Sequence, residues 1–230
     1  MDIIQQLITE KNKELSLPDK IYDELLRDIL TGVLPRDSWL VEAKLCEKYN
    51  ASRTPVREAF RRLEMDGLLE YIPRRGEFVR GFTFEEISDM LHIRADLEVR
   101  AVSWSIERIS EEEEEELTDI FRYMEFYTRK NDIHMMMNVN TAFHHHIYKT
   151  AHDRMLDKTL STYLTYCKYC CPPNYFAPKF LDKTLEERRR IFSAYANKDV
   201  LNGARAMKLH MNSVIKRAME NIDTKIYTKK

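Results

Sequence analysis

The sequence predicts a mainly α protein: an N-terminal winged helix-turn-helix with a small β wing, followed by an all-α antiparallel bundle. Three observations predict it. Between residues 18 and 81, short amphipathic helices alternate with turns and a hairpin marked by Gly32, Gly67, Gly76 and Gly81. Beyond Gly81 the only glycine is Gly203, and apolar residues recur at helical spacing almost to the C-terminus. The stretch Ala51–Leu69, ASRTPVREAFRRLEMDGLL, has the design of a helix that is anchored on one face and read from the other.

Taken in order, residues 1–17 mix apolar and polar residues in a pattern that fits either an arm or a loose helix. Residues 19–31 form a helix with Ile21, Leu25, Ile29 and Leu30 on one side, closed by Gly32. Residues 41–49 (VEAKLCEKY) are a second short helix, and Asn50-Ala51-Ser52 is a tight turn in which Asn tolerates the left-handed region. Thr54 is then the expected N-cap and Pro55, which lacks an amide proton, suits the first turn. Val56, Ala59, Phe60 and Leu63 follow at i, i+3, i+4 and i+7 and form one apolar face. Gly67 ends this helix as a residue able to take positive φ. Leu69-Glu70-Tyr71-Ile72 and Phe78-Val79 flank Pro73-Arg74-Arg75-Gly76, a hairpin with a basic tip.

A short helix with arginines at its start and flank is the shape of a major-groove reader. The residues that carry this role are Ser52, Arg53, Thr54, Arg57 and Arg61 on the helix, with Arg74, Arg75 and Gly76 on the wing. Bulk charge does not carry it. The net charge over all 230 residues is −1, and residues 18–81 hold 12 Lys and Arg against 12 Asp and Glu. Placement of the arginines is what matters, and attraction to phosphate should be modest and salt-sensitive.

This stretch resembles the GntR family of bacterial transcription regulators. The resemblance rests on Gly32-Val33-Leu34, Leu40, Glu42, Ser52-Arg53-Thr54-Pro55-Val56-Arg57-Glu58-Ala59, Arg62-Leu63-Glu64, Gly67-Leu68 and Pro73-Arg74-Arg75-Gly76. Asp37 stands where the family usually has Gly, and Asn50 replaces another. The resemblance implies a DNA-binding regulator, most readily a repressor. Two copies acting together on a palindromic double-stranded operator match dimer symmetry to operator symmetry.

Phe82-Thr83-Phe84 is the expected linker to a domain over residues 85–230. Six helices are expected there, over 85–109, 111–130, 132–151, 155–171, 181–197 and 200–226. Ser110 is a plausible cap for the run Glu111–Glu116, whose acids suit a helix N-terminus. Pro172-Pro173-Asn174 separates the fourth helix from the fifth. A helical C-terminal half of this kind resembles the FadR class with its FCD-type ligand-binding domain. The echoes are Ile93-Arg94-Ala95-Asp96-Leu97-Glu98, Ala142-Phe143-His144, Lys198-Asp199 and Met207-Lys208-Leu209-His210.

Registering the helices exposes polar residues on buried stripes. Arg94 interrupts Ile87, Met90, Leu91, Leu97 and Ala101; Asn140 and His144 interrupt Ile133, Met136, Met137, Ile147 and Ala151. Arg188 interrupts Leu181, Leu185, Ile191, Phe192 and Tyr195, and His210 flanks Met207, Met211 and Val214. A polar group on a buried face costs roughly 1–3 kcal/mol unless partnered, so several at once suggest one shared pocket. In the FCD class an Asp four residues before a His, with two further His, typically holds a divalent metal beside the effector. The corresponding positions here are Asn140, His144, Arg188 and His210. Arginine cannot coordinate a metal, so no metal cofactor is expected; if one were held, His144 and His210 would hold it. The expected ligand is a small carboxylate or phosphate metabolite bound by Arg188 with help from Arg94. His134, His145, His146 and His152 are expected on the surface.

The start MDIIQQLITEKNKE lacks a signal-like apolar run, and no stretch is long and apolar enough to cross a membrane. Four cysteines without disulfide-like spacing fit a reducing cytoplasm. Cys167-Lys168-Tyr169-Cys170 has no second pair to complete a zinc site. The rival readings are a metal-dependent FCD regulator, a metallohydrolase using the two bundle histidines, and an architectural DNA binder. No acidic third ligand supports a hydrolase, so an enzyme is not expected.

Overall fold

The computed structural model describes residues 15–170 and 178–227. Ser16 opens the first helix, α1 (Leu17–Leu30), by accepting a hydrogen bond from the Asp19 amide. Gly32 follows its end at φ 77, where a side chain would also meet Ile226. Next come β1 (Trp39–Leu40), α2 (Glu42–Lys48), α3 (Arg53–Met65), β2 (Leu69–Ile72) and β3 (Gly76–Val79). Ser52, two residues earlier than the expected Thr54, takes the N-cap position of α3 without a side-chain capping hydrogen bond, and Pro55 lies inside the first turn. Gly67 at φ 73 closes that helix, with the Leu68 amide donating back to the Leu63 carbonyl.

The buried face of α3 is Val56, Ala59, Phe60 and Leu63, packed on Ile21, Leu25, Leu26 and Ile29 of α1. Arg62 fastens the two helices at the surface, donating to Asp19 at 2.6 Å and lying over the Tyr22 ring at 4.0 Å. The sheet order is β1-β3-β2, all antiparallel, with Trp39 opposite Phe78 and Leu69 opposite Val79. The two positions at which glycine is usual in the family, Asp37 and Asn50, have φ 63 and φ 46. Asp and Asn are the side chains best suited to that left-handed backbone after glycine.

The second compact unit is helical: α4 (Phe84–Arg108), α5 (Glu111–Arg129), α6 (Ile133–Thr150), α7 (Arg154–Cys170), α8 (Pro178–Ala196) and α9 (Val200–Asn221). Ser110 forms a full capping box with Glu113. Neighbours in sequence pack together, α5 on α6, α6 on α7 and α8 on α9, and α8 also meets α5. The core runs through Leu117, Met124, Phe143, Ile147, Tyr195 and Met211. The break expected at Pro172-Pro173-Asn174, Cys171, and most of the N-terminal arm lie outside the described residues.

The last helix ends earlier than the sequence suggested. Ile222 is extended at φ −65, ψ 128, and the chain turns into a single-turn helix, α10 (Thr224–Tyr227). Residues 223–227 belong to the winged-helix unit, not to the bundle. The Tyr227 hydroxyl donates to the Leu30 carbonyl at 2.7 Å, and Arg36 donates to the carbonyls of Tyr227 and Phe82 at 3.2 and 3.0 Å. A Cβ on Gly32 would lie 2.8 Å from Ile226, so the tail sits tightly over the end of α1. Tyr227→Phe removes the buried donor to Leu30 and is expected to lower stability by about 1 kcal/mol. Urea unfolding followed at Trp39, with Trp104 replaced by Phe, reads that loss; an unchanged midpoint would show that the hydroxyl contributes nothing.

Candidate functional site

The exposed side of α3 presents Ser52, Arg53, Thr54, Arg57 and Arg61, since Val56, Ala59, Phe60 and Leu63 are turned to α1. Arg74 and Arg75 are exposed at the hairpin tip, and Gly76 opens β3 at φ 98. The tip is a tight turn in which the Arg75 amide donates to the Ile72 carbonyl at 3.0 Å. Arg74 takes φ 67 there, at a position where glycine or asparagine is usual after Pro73. One side chain that the sequence reading did not assign to this face joins it. Glu42, in the first turn of α2, accepts from the Arg57 Nε at 2.7 Å and lies 3.3 Å from the Arg53 Nε. Burial, aided by Glu64 and Glu42, pushes the Glu77 carboxyl up to about 6.

The polar residues predicted on the bundle stripes do come together. Arg94, His144, Arg188 and His210 are each at most 4% exposed, and Asn140 is half-buried beside them. Arg188 donates to the Asn140 side-chain carbonyl and, at 3.1 Å, to the Thr184 carbonyl. The His144 and His210 rings stack with centroids 5.9 Å apart and planes at 28°. Each ring is held at Nδ1 by a carboxylate that an arginine holds in turn. His144 lies 3.1 Å from Glu98, which accepts from Arg94 at 2.8 and 3.1 Å and also from the Tyr148 hydroxyl. His210 lies 2.9 Å from Glu187, which accepts from Arg217 at 3.2 Å. Two Arg–Glu–His chains therefore meet ring to ring.

Electrostatics sets the protonation of these chains. Burial holds both imidazoles below their usual range, against the pull of their carboxylates, and His210 is pushed down to about 3. Burial opposes ionisation of Glu98, but His144, Arg94 and Tyr148 hold its carboxyl well below the usual range. Glu187 is similarly held at about 2, against burial, by His210 and Arg217. Neutral imidazoles that donate from Nδ1 to a carboxylate present an accepting Nε2. The His210 Nε2 is buried and has no hydrogen-bond partner among the described residues.

Arg94, expected to help hold an anion, has its guanidinium bonded to Glu98, four residues on, because a buried charge needs a close opposite charge. One expectation is corrected here. His146 was expected on the surface; it is buried, with Nε2 2.7 Å from the Glu113 carbonyl. The reason is that α6 is covered on nearly all sides, including by the start of α5. His145 is half-buried against Ser161, while His134 and His152 are exposed. Sequence reasoning missed Glu98, Tyr148, Glu187 and Arg217. For three of them a signal was present: Glu98 is i+4 from Arg94, Tyr148 i+4 from His144, and Arg217 i+7 from His210.

The donor set does not fit a divalent metal. Only two imidazoles face each other, the third position is the Asn140 amide, and the fourth is the Arg188 guanidinium bonded to it. Among the described residues no three His, Cys, Asp or Glu side chains converge as a metal site would require. Cys167 and Cys170 are buried on α7. A cleft of about 290 Å³ lined by Arg190, Asn197, Asn202 and Arg205 opens between α8 and α9 and includes none of the stripe residues.

A winged helix-turn-helix, with a separate helical unit built around a buried polar site, defines a DNA-binding transcription regulator. Residues 17–79 match the bacterial regulatory proteins of the gntR family, and residues 89–213 match the FCD domain. The chain belongs to the GntR family, and its helical unit is an FCD domain. It is 28% identical to the HTH-type transcriptional regulator YdhC of Bacillus subtilis over 197 residues, 84% of this chain and 87% of that one. It is 24% identical to the HTH-type transcriptional repressor RspR of Escherichia coli over 90% of each. The fold matches the solved structure of E. coli McbR/YncC with TM-score 0.70 and 23% identity, covering 90% of this chain and 98% of that one. Its relatives are transcription regulators, not enzymes, and no helix among the described residues is long and apolar enough to cross a membrane.

Proposed function

We propose that this regulator is a homodimeric, cytoplasmic repressor whose affinity for a palindromic operator is set by a small carboxylate or phosphate metabolite in the FCD domain. The observation that carries the effector is the buried His210 Nε2, an acceptor without a partner among the described residues, beside His144 and within electrostatic reach of Arg188. The cation suits an oxyanion, and the two accepting nitrogens suit a hydroxyl or other donor on the same molecule. RspR, a relative over most of its length, is a repressor, which supports that direction of control.

Thermal unfolding with a panel of small hydroxycarboxylates and phosphate esters tests the pocket. A ligand present at 100 times its Kd stabilises the folded state by about 2.7 kcal/mol, and Arg188→Gln should abolish the shift. If zinc, nickel or manganese raises the melting temperature and no panel anion does, the metal-dependent reading replaces this one.

On the DNA side, Arg57→Ala should cost roughly 1–3 kcal/mol for the operator if the arginine contacts a base edge. Operator sequences selected from a random duplex library supply the probe. The same titration should give two chains per operator; one chain, or unchanged discrimination against random DNA, would reject the palindromic reading or the role of Arg57 respectively.

A further inference from the structure

We propose that Glu42 is a positioning residue for DNA recognition, fixing the guanidinium planes of Arg53 and Arg57 for base reading. This rests on the reading of those arginines as base contacts. One carboxylate serves both side chains: Oε2 accepts from the Arg57 Nε at 2.7 Å, and Oε1 lies 3.3 Å from the Arg53 Nε. Engagement at Nε leaves the Nη1–Nη2 edge of each fork, the edge that meets guanine O6 and N7 together.

The arrangement is not explained by stability. The Arg53 and Arg57 side chains are 74% and 58% exposed, and exposed ion pairs of this kind add little to folding. Nor is it explained by attraction to DNA, since a carboxylate on a face that approaches phosphates weakens binding. Glu42 also comes from a different helix than the arginines, so it ties the orientation of α3 side chains to the α2 scaffold. Long arginine side chains lose rotamer freedom when they bind. Holding them in place beforehand moves that loss out of the recognition step, and it does so only for the geometry in which guanine is correctly placed.

Arg61, Arg74 and Arg75 give a contrast. They are exposed on the same unit, and no carboxylate is found against them among the described contacts. They suit phosphate contacts, which need charge more than orientation.

The test uses the full-length chain, the operator selected by the unaltered protein, and a random duplex of equal length, with affinities read by fluorescence anisotropy at one salt concentration. Glu42→Gln should lower the ratio of operator to random affinity by roughly tenfold, the loss of one oriented polar contact, while affinity for random DNA rises. Glu42→Asp keeps the charge and the first-turn place but shortens the reach; it should lower the ratio comparably with random affinity unchanged. Melting temperatures of both variants should stay near that of the unaltered protein. If Glu42→Gln raises both affinities by one factor, or Glu42→Asp leaves the ratio intact, Glu42 acts only as a repulsive charge and the proposal is overturned. Arg57→Ala separates this from failure of the base-reading assignment: if it too leaves the ratio unchanged, the assignment of Arg57 fails first.

Discussion

Glu98→Ala is expected to destabilise the helical unit by roughly 3–5 kcal/mol, the cost of leaving a buried charge without its partner. Glu98 is fully buried and accepts from three side chains on two helices, Arg94 on its own α4, and His144 and Tyr148 on α6. Alanine removes the acceptor for all three at once. Arg94, itself only 4% exposed, cannot shed its proton or reach water without moving α4. The pair Arg94→Met with Glu98→Leu should recover much of the loss, because an apolar pair of similar volume avoids the desolvation of both ions. The hydroxyl of Tyr148 and Nδ1 of His144 would still lack their partner, so recovery should be incomplete until Tyr148→Phe is added. Urea unfolding followed by far-ultraviolet circular dichroism reads all of these. A loss under 1 kcal/mol for Glu98→Ala would mean that Arg94 finds another partner within the bundle.

The same carboxylate shows where sequence reading reaches its limit. Arg94, His144, Arg188 and His210 were legible because each breaks an apolar stripe on its own helix, a pattern that needs no knowledge of the partner helix. Glu98 shares a helix with Arg94, yet what makes it central is the approach of α6, which no local pattern encodes. His146 was misplaced for a related reason. A stripe assigns one buried face, whereas α6 buries Phe143, His144, His146, Ile147 and Tyr148 on several sides.

The winged helix was legible because glycine, proline and asparagine mark its turns: Asn50 and Gly67 both take the positive φ that their chemistry favours. The strand β1 was not, since two residues carry no alternation. Neither was the tail. The spacing of apolar residues continues past Asn221, and nothing of the glycine or proline kind announces that Ile222 leaves the helix. What stops it is the attachment of Tyr227 to the end of α1, a contact between residues 197 positions apart.

Acid should unfold the bundle from below about pH 6.5, well before ordinary carboxylates titrate. In the fold, His210 is held at about 3 against 6.5 for a free imidazole, and burial lowers His144 and His146 as well. As pH falls through 6.5, the unfolded chain takes up protons that the folded chain refuses, so the unfolded state binds more protons and stability falls. Below about 4.5 a second contribution of the same sign begins. Glu187, held at about 2, and Glu98, held well below its ordinary range, stay ionised in the fold while their unfolded counterparts protonate. All of these groups are depressed in the native state, so their contribution is complete at neutral pH and drains in one direction. The slope should reach roughly 1–3 kcal/mol per pH unit if one or two imidazoles act in full. Urea midpoints at pH 7.5, 6.0 and 5.0 would show it. His210→Gln should flatten the curve between pH 6.5 and 5, because glutamine offers a neutral group with no proton to gain. A midpoint that rises on going from pH 7.5 to 5.0 would require imidazoles already charged inside the bundle, each paired in earnest with its carboxylate, and would reverse the assignment of Nε2 as an acceptor.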